Sequence, residues 1–316
     1  MFRSNGFFLT GSRHSTFIAI AMSSKSSQLS RAIASARQEA HRILHDPGAG
    51  RKLQLHTHEW VLPTVDSAIL AWIKADARRR RNALTDLQQN LLIWGDDLPV
   101  MKALLVGDHA VQSLRGKIDL ICIHPARARH AGRCKPIFPW IAPEENSKDF
   151  ESCLAAGVLQ LVFLRELLSE DGTIYVHANW DTGLYAKAIM DEIFAEEHAS
   201  ASSWREQGFV LTRKSKTRKK EAACHADMNR HRPLYPLEDI ILSFTEPDAV
   251  VADFFGGLGE TAIIAEQLGR RWIIAEPSQA ACLRIRERLI GQNAAPFLYQ
   301  SIHVCPANPA PSRLPE

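Results

Sequence analysis

Cysteine is scarce and unpatterned in this sequence. Six occur in 316 residues, at positions 122, 134, 153, 224, 282 and 305, and no two form a Cys-x-x-Cys pair. A disulfide scaffold and a zinc ribbon are both excluded by that spacing. Several of the six sit in apolar periodic segments, as small buried hydrophobes do in a reducing compartment, and no metal is implied. Long apolar runs are missing too. The chain has no stretch long enough to span a bilayer. The run FIAIAM near the start is shorter than the core of a signal peptide and lacks a cleavage site. The expectation is a soluble cytoplasmic protein with no membrane partner.

Excess charge of one sign is also lacking, since the formal net charge is only +3. The positive charge is clumped, however. Arg78 to Arg81 is an unbroken run of four arginines, and Arg213, Lys214, Lys216, Arg218, Lys219 and Lys220 are six cations within eight residues. Clumped cations suit a polyanion or a solvated face.

The 46% hydrophobic content supports one sizeable core with appendages. Residues 1–85 read as an N-terminal extension with two amphipathic helical patterns, LSRAIASARQEAHRIL and VDSAILAWIKADARRR, around an extended piece, LQLHTHEW. Met22 is a second candidate start, which would leave residues 1–21 outside the native protein. His56 and His58 in the extended piece read as a surface strand rather than as ligands. Residues 297–316 read as a flexible tail.

Between these, residues 86–296 alternate strands and helices. NLLIWGD is a strand followed by the helix LPVMKALLVG, and KIDLICIHP is the next strand. VLQLVFLRELLSEDG is a helix closed by Gly172, TIYVHA a strand and GLYAKAIMDEIF a helix. PLEDIILSFT is helical, DAVVADFFGGLGETAIIAEQLG runs strand, glycine loop, helix, and RRWIIAEPS is a strand before the helix QAACLRIRERLIG. Strands separated by helices predict an α/β fold with a mostly parallel sheet and helices on both faces. Trp94, Trp180 and Trp272 flank strands and read as core or rim packing. His177 reads as a hydrogen-bonded scaffold residue at a strand end.

The glycine loop carries the chemistry. Asp253 ends a strand, Gly256, Gly257 and Gly259 lie in the turn, and a helix follows, so backbone can approach a ligand closely and offer unpaired N–H groups. Glu276 ends the next strand, nineteen residues after Gly257, where a carboxylate can hold ribose hydroxyls. The charge of Asp253 would repel a pyrophosphate and attract an ammonium group. A nicotinamide-dependent oxidoreductase explains this loop but not the other segments.

Taken together, NLLIWGDDLPVMKALL, GKIDLICIHP, LVFLRELLSEDGTIYVHANWDTGLYAKAIMDEIF, RPLYPLEDIIL and VVADFFGGLGETAIIAEQLGRRWIIAEPS, in that order, resemble the β-group amino-methylating DNA methyltransferases. The adenine-N6 enzymes of type III restriction-modification systems are the nearest in kind. The resemblance runs from about Asn90 to Leu289. It implies a Rossmann-like S-adenosylmethionine-dependent methyltransferase fold, S-adenosyl-L-methionine as cofactor, DNA as partner and a restriction-system partner subunit. Gly95 and Asp96 fall at the position beside the cofactor's adenine. Asp253, Phe255, Gly257 and Gly259 match the loop Asp-Pro-Phe-x-Gly-Ser-Gly, with Phe254, Leu258 and Glu260 where proline, serine and threonine are usual. Glu276 matches the ribose-binding acid. Pro236 stands where leucine is usual and is expected to disturb the helix leading to the loop.

The family's strand IDLIYIDPPF ends in an acidic-Pro-Pro-aromatic tetrad, and here the matching residues are His124, Pro125, Ala126 and Arg127. A carboxylate accepts hydrogen bonds from the target amine and stabilises developing positive charge, while the aromatic ring stacks on a base turned out of the duplex. Neutral histidine offers one acceptor nitrogen and protonated histidine none, and Arg127 adds positive charge near a centre that itself becomes positive. The tetrad is therefore degenerate, and methyl transfer is expected to be impaired or absent. The segment between Phe194 and Arg232, residues 195–231, is short for a target-recognition region, so phosphate contact with little sequence selection is expected. A methyltransferase with an altered tetrad and a non-catalytic DNA- or cofactor-binding remnant both fit these residues.

Overall fold

The computed structural model describes residues 30–31, 33–45, 53–63, 89–107, 112–123, 150–177, 190, 193–194, 202–205, 208–212 and 236–304. Its strands are β1 (Leu53–Val61), β2 (Asn90–Trp94), β3 (Ile118–Ile123), β4 (Leu168–Val176), β5 (Ser202–Arg205), β6 (Gly208–Thr212), β7 (Val250–Asp253), β8 (Arg271–Glu276) and β9 (Phe297–Val304). Its helices are α1 (33–45), α2 (Asp97–Val106), α3 (Phe150–Leu167), α4 (Pro236–Phe244), α5 (Glu260–Gln267) and α6 (Gln279–Gly291).

A strand covered on both faces needs mostly apolar side chains, and β3 and β7 have them apart from Asp119, which is partly exposed, and Asp253, which is buried at the end of β7. They lie at the centre of one sheet of order β1-β9-β2-β8-β7-β3-β4-β6-β5. Pairing is parallel from β9 through β4, and antiparallel where β1 meets β9, β6 meets β4 and β5 meets β6. Helices cover both faces, as the alternation predicted. Ile33, Ala36 and Ala40 of α1 pack with α2 and α3 in one apolar cluster, and Ile240, Ile263 and Ile285 represent α4, α5 and α6 in the other.

Chain order reverses between β7 and β3. From β7 the chain passes through α5 to β8 on one side, while β3 continues toward β4 on the other. Such a switch point opens a crevice outside the carboxyl ends of the strands.

Several expectations need correction. Residues 297–304, expected in the loose tail, form β9 and pair with β2 and β1. Residues 53–61 of the expected extension form β1 of the same sheet, and Ile33, Ala36 and Ala40 are core. The helix expected to close at Gly172 ends at Leu167, and β4 begins at the next residue. Leu168 pairs with Ile118 and Thr173 with Leu120, so residues 169–172 form an irregularity inside the pairing rather than a helix stop. Pro236 opens α4 instead of disturbing it. A first-turn proline forfeits no helical bond, because the N–H it lacks would have had no partner there.

Candidate cofactor site

β7 carries Asp253 to the crevice. The residue is 3% exposed and both carboxylate oxygens are engaged. Oδ1 accepts the Phe255 amide at 2.9 Å and Oδ2 accepts the Thr261 hydroxyl at 2.7 Å. The first bond folds the chain back as it leaves the strand; the second ties that turn to the start of α5. Asp253 is thus more tightly sheathed than a carboxylate simply facing a cavity.

Gly256 lies flat against β8, its amide donating to Ala275 O at 2.9 Å. A Cβ there would stand 2.4 Å from Ile274 Cγ2, so the close approach requires glycine. Gly259 adopts φ +78°, with Ile285 side-chain carbons 2.8 Å from where a Cβ would sit. At the tip Leu258 is half exposed, and its carbonyl accepts from Arg288. Phe254 is fully buried in the core while Phe255 lines the crevice, which divides the aromatic pair between core and wall.

β8 carries Glu276, 2% exposed. Its Oε2 accepts the Gly257 amide and its Oε1 the Ser278 amide, each at 2.9 Å. Ser278 also caps α6, its hydroxyl accepting from the Ala281 amide at 3.3 Å. The end of β2 closes this side: Trp94 stands in register with Glu276, Gly95 N donates to Glu276 O at 3.1 Å, and the Trp94 indole donates to Pro277 O at 3.1 Å. Gly95 is buried and Asp96 is exposed on the rim.

Gly95, Asp96, Asp253, Phe255, Gly257, Gly259 and Glu276 thus come together at one end of the sheet. Leu237, Asp253, Phe255, Leu258, Glu260 and Thr261 line the cleft. His124, Pro125, Ala126 and Arg127 lie outside the described residues, as do Arg213, Lys214, Lys216, Arg218, Lys219, Lys220 and Trp180. The end of β3 that leads to position 124 is held by the His177 amide, which donates to Ile123 O at 2.8 Å. The His177 ring stands 3.3 Å from the Tyr175 hydroxyl.

Three residues of the arrangement were not singled out from sequence, Leu237, Thr261 and Ser278. Ser278 carried a readable signal as a serine just before a helical pattern. Thr261, the second residue of α5, had none. Two thiols lie beneath the site. Burial raises Cys122 well above the ordinary thiol range, helped by the charge of Asp253, and pushes Cys282 up to about 12, helped by Glu276. Among the described residues no cluster of three or more His, Cys, Asp or Glu could hold a metal ion, and no helix is long and apolar enough to cross a membrane.

Residues 198–287 match a family model of N6/N4 methyltransferases, described as DNA methylase. The matched stretch is less than a third of the chain. It runs from β5 into α6 and contains Asp253, the glycine loop and Glu276, while Gly95, Asp96 and the tetrad positions lie before it. The chain is similar to the type II methyltransferase M.EcaI of Enterobacter cloacae, 28% identical over 114 residues that make up 34% of this chain and 22% of that protein. It is similar also to YubD of Escherichia coli (strain K12), 47% identical over 49 residues, 14% of this chain and 22% of the relative. The matched stretches therefore span about a fifth of the curated relatives. Among solved structures, TTHA0409 of Thermus thermophilus complexed with S-adenosyl-L-methionine aligns over 68% of this chain and 100% of that one, at 17% identity and a TM-score of 0.41.

Proposed function

We propose that this protein binds S-adenosyl-L-methionine and DNA as a β-group, type III-like relative of the adenine-N6 methyltransferases, with methyl transfer impaired by its tetrad. The observation that carries this reading is the pair of buried carboxylates, Asp253 and Glu276, bracketing a glycine loop inside the stretch that matches a DNA methylase family model. The cofactor's donor groups fit these residues. A carboxylate has about four lone-pair sites. Protein donors already hold both oxygens of Asp253 and of Glu276 in place at the ends of their strands, and in this reading Glu276 would also accept from ribose hydroxyls and Asp253 from an ammonium group. When bound, the cofactor would supply an electrophilic methyl on sulfonium. Gly95 and Asp96 would border its adenine.

At the reacting centre, His124 and Arg127 replace an acid and an aromatic ring. Loss of one transition-state hydrogen bond of this class costs roughly two to three powers of ten in rate. Arg213 to Lys220 would contact phosphates with little sequence selection, so partner specificity would come from an associated restriction-system subunit.

Two measurements test the reading. Calorimetric titration with S-adenosylmethionine should give micromolar binding that Asp253→Ala abolishes, and absence of binding to the wild type would refute the cofactor assignment. With tritiated cofactor and unmethylated DNA, transfer should be undetectable or very slow. Sustained turnover that His124→Ala abolishes would overturn the impairment.

A further inference from the structure

His41 and His45 stand one helical turn apart on α1, their ring centroids 4.3 Å from each other and their planes inclined at 40°. Both are exposed, while Ile33, Ala36 and Ala40 on the opposite face are buried in the core and Ile43 and Leu44 pack against it. The two imidazoles are therefore presented to solvent from a helix that the core holds in place. Among the described residues neither ring has a hydrogen-bond partner.

The nearby cations are turned to other partners. Arg42 makes a two-pronged ion pair with Glu39, at 2.8 and 2.6 Å, and its hydrogen bond holds the Glu39 carboxyl below the usual carboxylate range. Arg37, one turn before His41, donates to Ile193 O at 3.4 Å.

We propose that His41 and His45 form a two-histidine chelate for a borderline divalent transition metal, Zn²⁺, Ni²⁺ or Cu²⁺. A metal about 2.0–2.1 Å from each imidazole nitrogen needs those nitrogens about 3 Å apart, which rings at a 4.3 Å centroid separation reach by small side-chain rotations. Imidazole suits these metals. Mg²⁺ and Ca²⁺ demand oxygen ligands, which the pair does not offer. Water would fill the remaining positions, so the site would tie the last turns of α1 together. It is independent of the cofactor reading, since no residue of the crevice takes part.

The test uses the full chain without a histidine tag. Zn²⁺ or Ni²⁺ at millimolar concentration should raise the thermal midpoint by about 2–4 °C, reversibly with EDTA. Mg²⁺ should leave it unchanged. Electron paramagnetic resonance of added Cu²⁺ should report two nitrogen ligands. His41→Ala and His45→Ala should each remove both signals, and the control His56→Ala/His58→Ala should keep them. Signals that persist unchanged in both single variants, that Mg²⁺ reproduces, or that never arise in the wild type would overturn the proposal.

Discussion

The Gly257 amide donates to Glu276 Oε2 at 2.9 Å, joining the tip of the glycine loop to the end of β8. Because the same carboxylate also holds the Ser278 amide, one side chain sets the loop and the start of α6 together. Glu276→Gln keeps the shape but loses a charged acceptor. S-adenosylmethionine affinity should fall about ten- to a hundredfold, as read by calorimetry. Unchanged affinity would mean that Glu276 serves the loop alone.

Gly259→Ala tests the backbone requirement. The residue sits at φ +78° against Ile285, so alanine meets both a strained backbone and a crowded neighbour. A loss of roughly 2–4 kcal/mol in unfolding free energy is expected, measured by urea denaturation. Gly269→Ala makes an instructive comparison. It has φ +70° with nothing within 4 Å of a Cβ, so it should show the backbone penalty without the crowding.

How much of this was readable beforehand follows from how local each constraint is. The strand, loop and strand from Val250 to Glu276 were legible because their signals are short-range: apolar runs, glycines where the chain must lie close, and acids at strand ends. β9 was not. Its partners Asn90–Trp94 and Leu53–Val61 are distant in sequence, and its buried Gln300 and Ser301 break the apolar pattern that would have marked a strand. Gln300 reaches Thr57 and Ser301 reaches His58, contacts invisible until β1 is in place. The boundary of α3 was misread because helix passes into β4 with no intervening loop, leaving Asp171-Gly172 as a false stop. The short hairpin of β5 and β6, placed at the sheet edge by pairing with β4, was missed because β5 is largely polar and the apolar run of β6 is only Phe209 to Leu211.

Asp97 offers a pH test. Burial raises its carboxyl above the ordinary value, opposed by the hydrogen bond from Gln160. A raised folded-state value means the protonated form is favoured on folding. The associated stability is fully present below the unfolded value and is lost as pH rises through the folded one. Asp97→Asn should remove that loss, so the stability difference between variant and wild type should shift in the variant's favour as pH rises from about 4 toward 7. Thermal midpoints across that range decide it, and parallel curves would refute the assignment.

Cys122 and Cys282 should be inert to Ellman's reagent at about pH 8 in the folded protein, since both are buried and their thiols are held above the ordinary range. Guanidinium chloride should release both. Rapid labelling of either without denaturant, located by peptide mass spectrometry, would show that the strands around the crevice open far more readily than their burial indicates.

Along Phe297–Val304, β1 caps what would otherwise be an open margin of the sheet. A shortened protein starting after residue 63 would leave β9's peptide groups facing water as a ready template for strand addition from another copy. Trimming the front of this chain to improve its behaviour is therefore expected to do the opposite, producing a shorter molecule that sticks to itself.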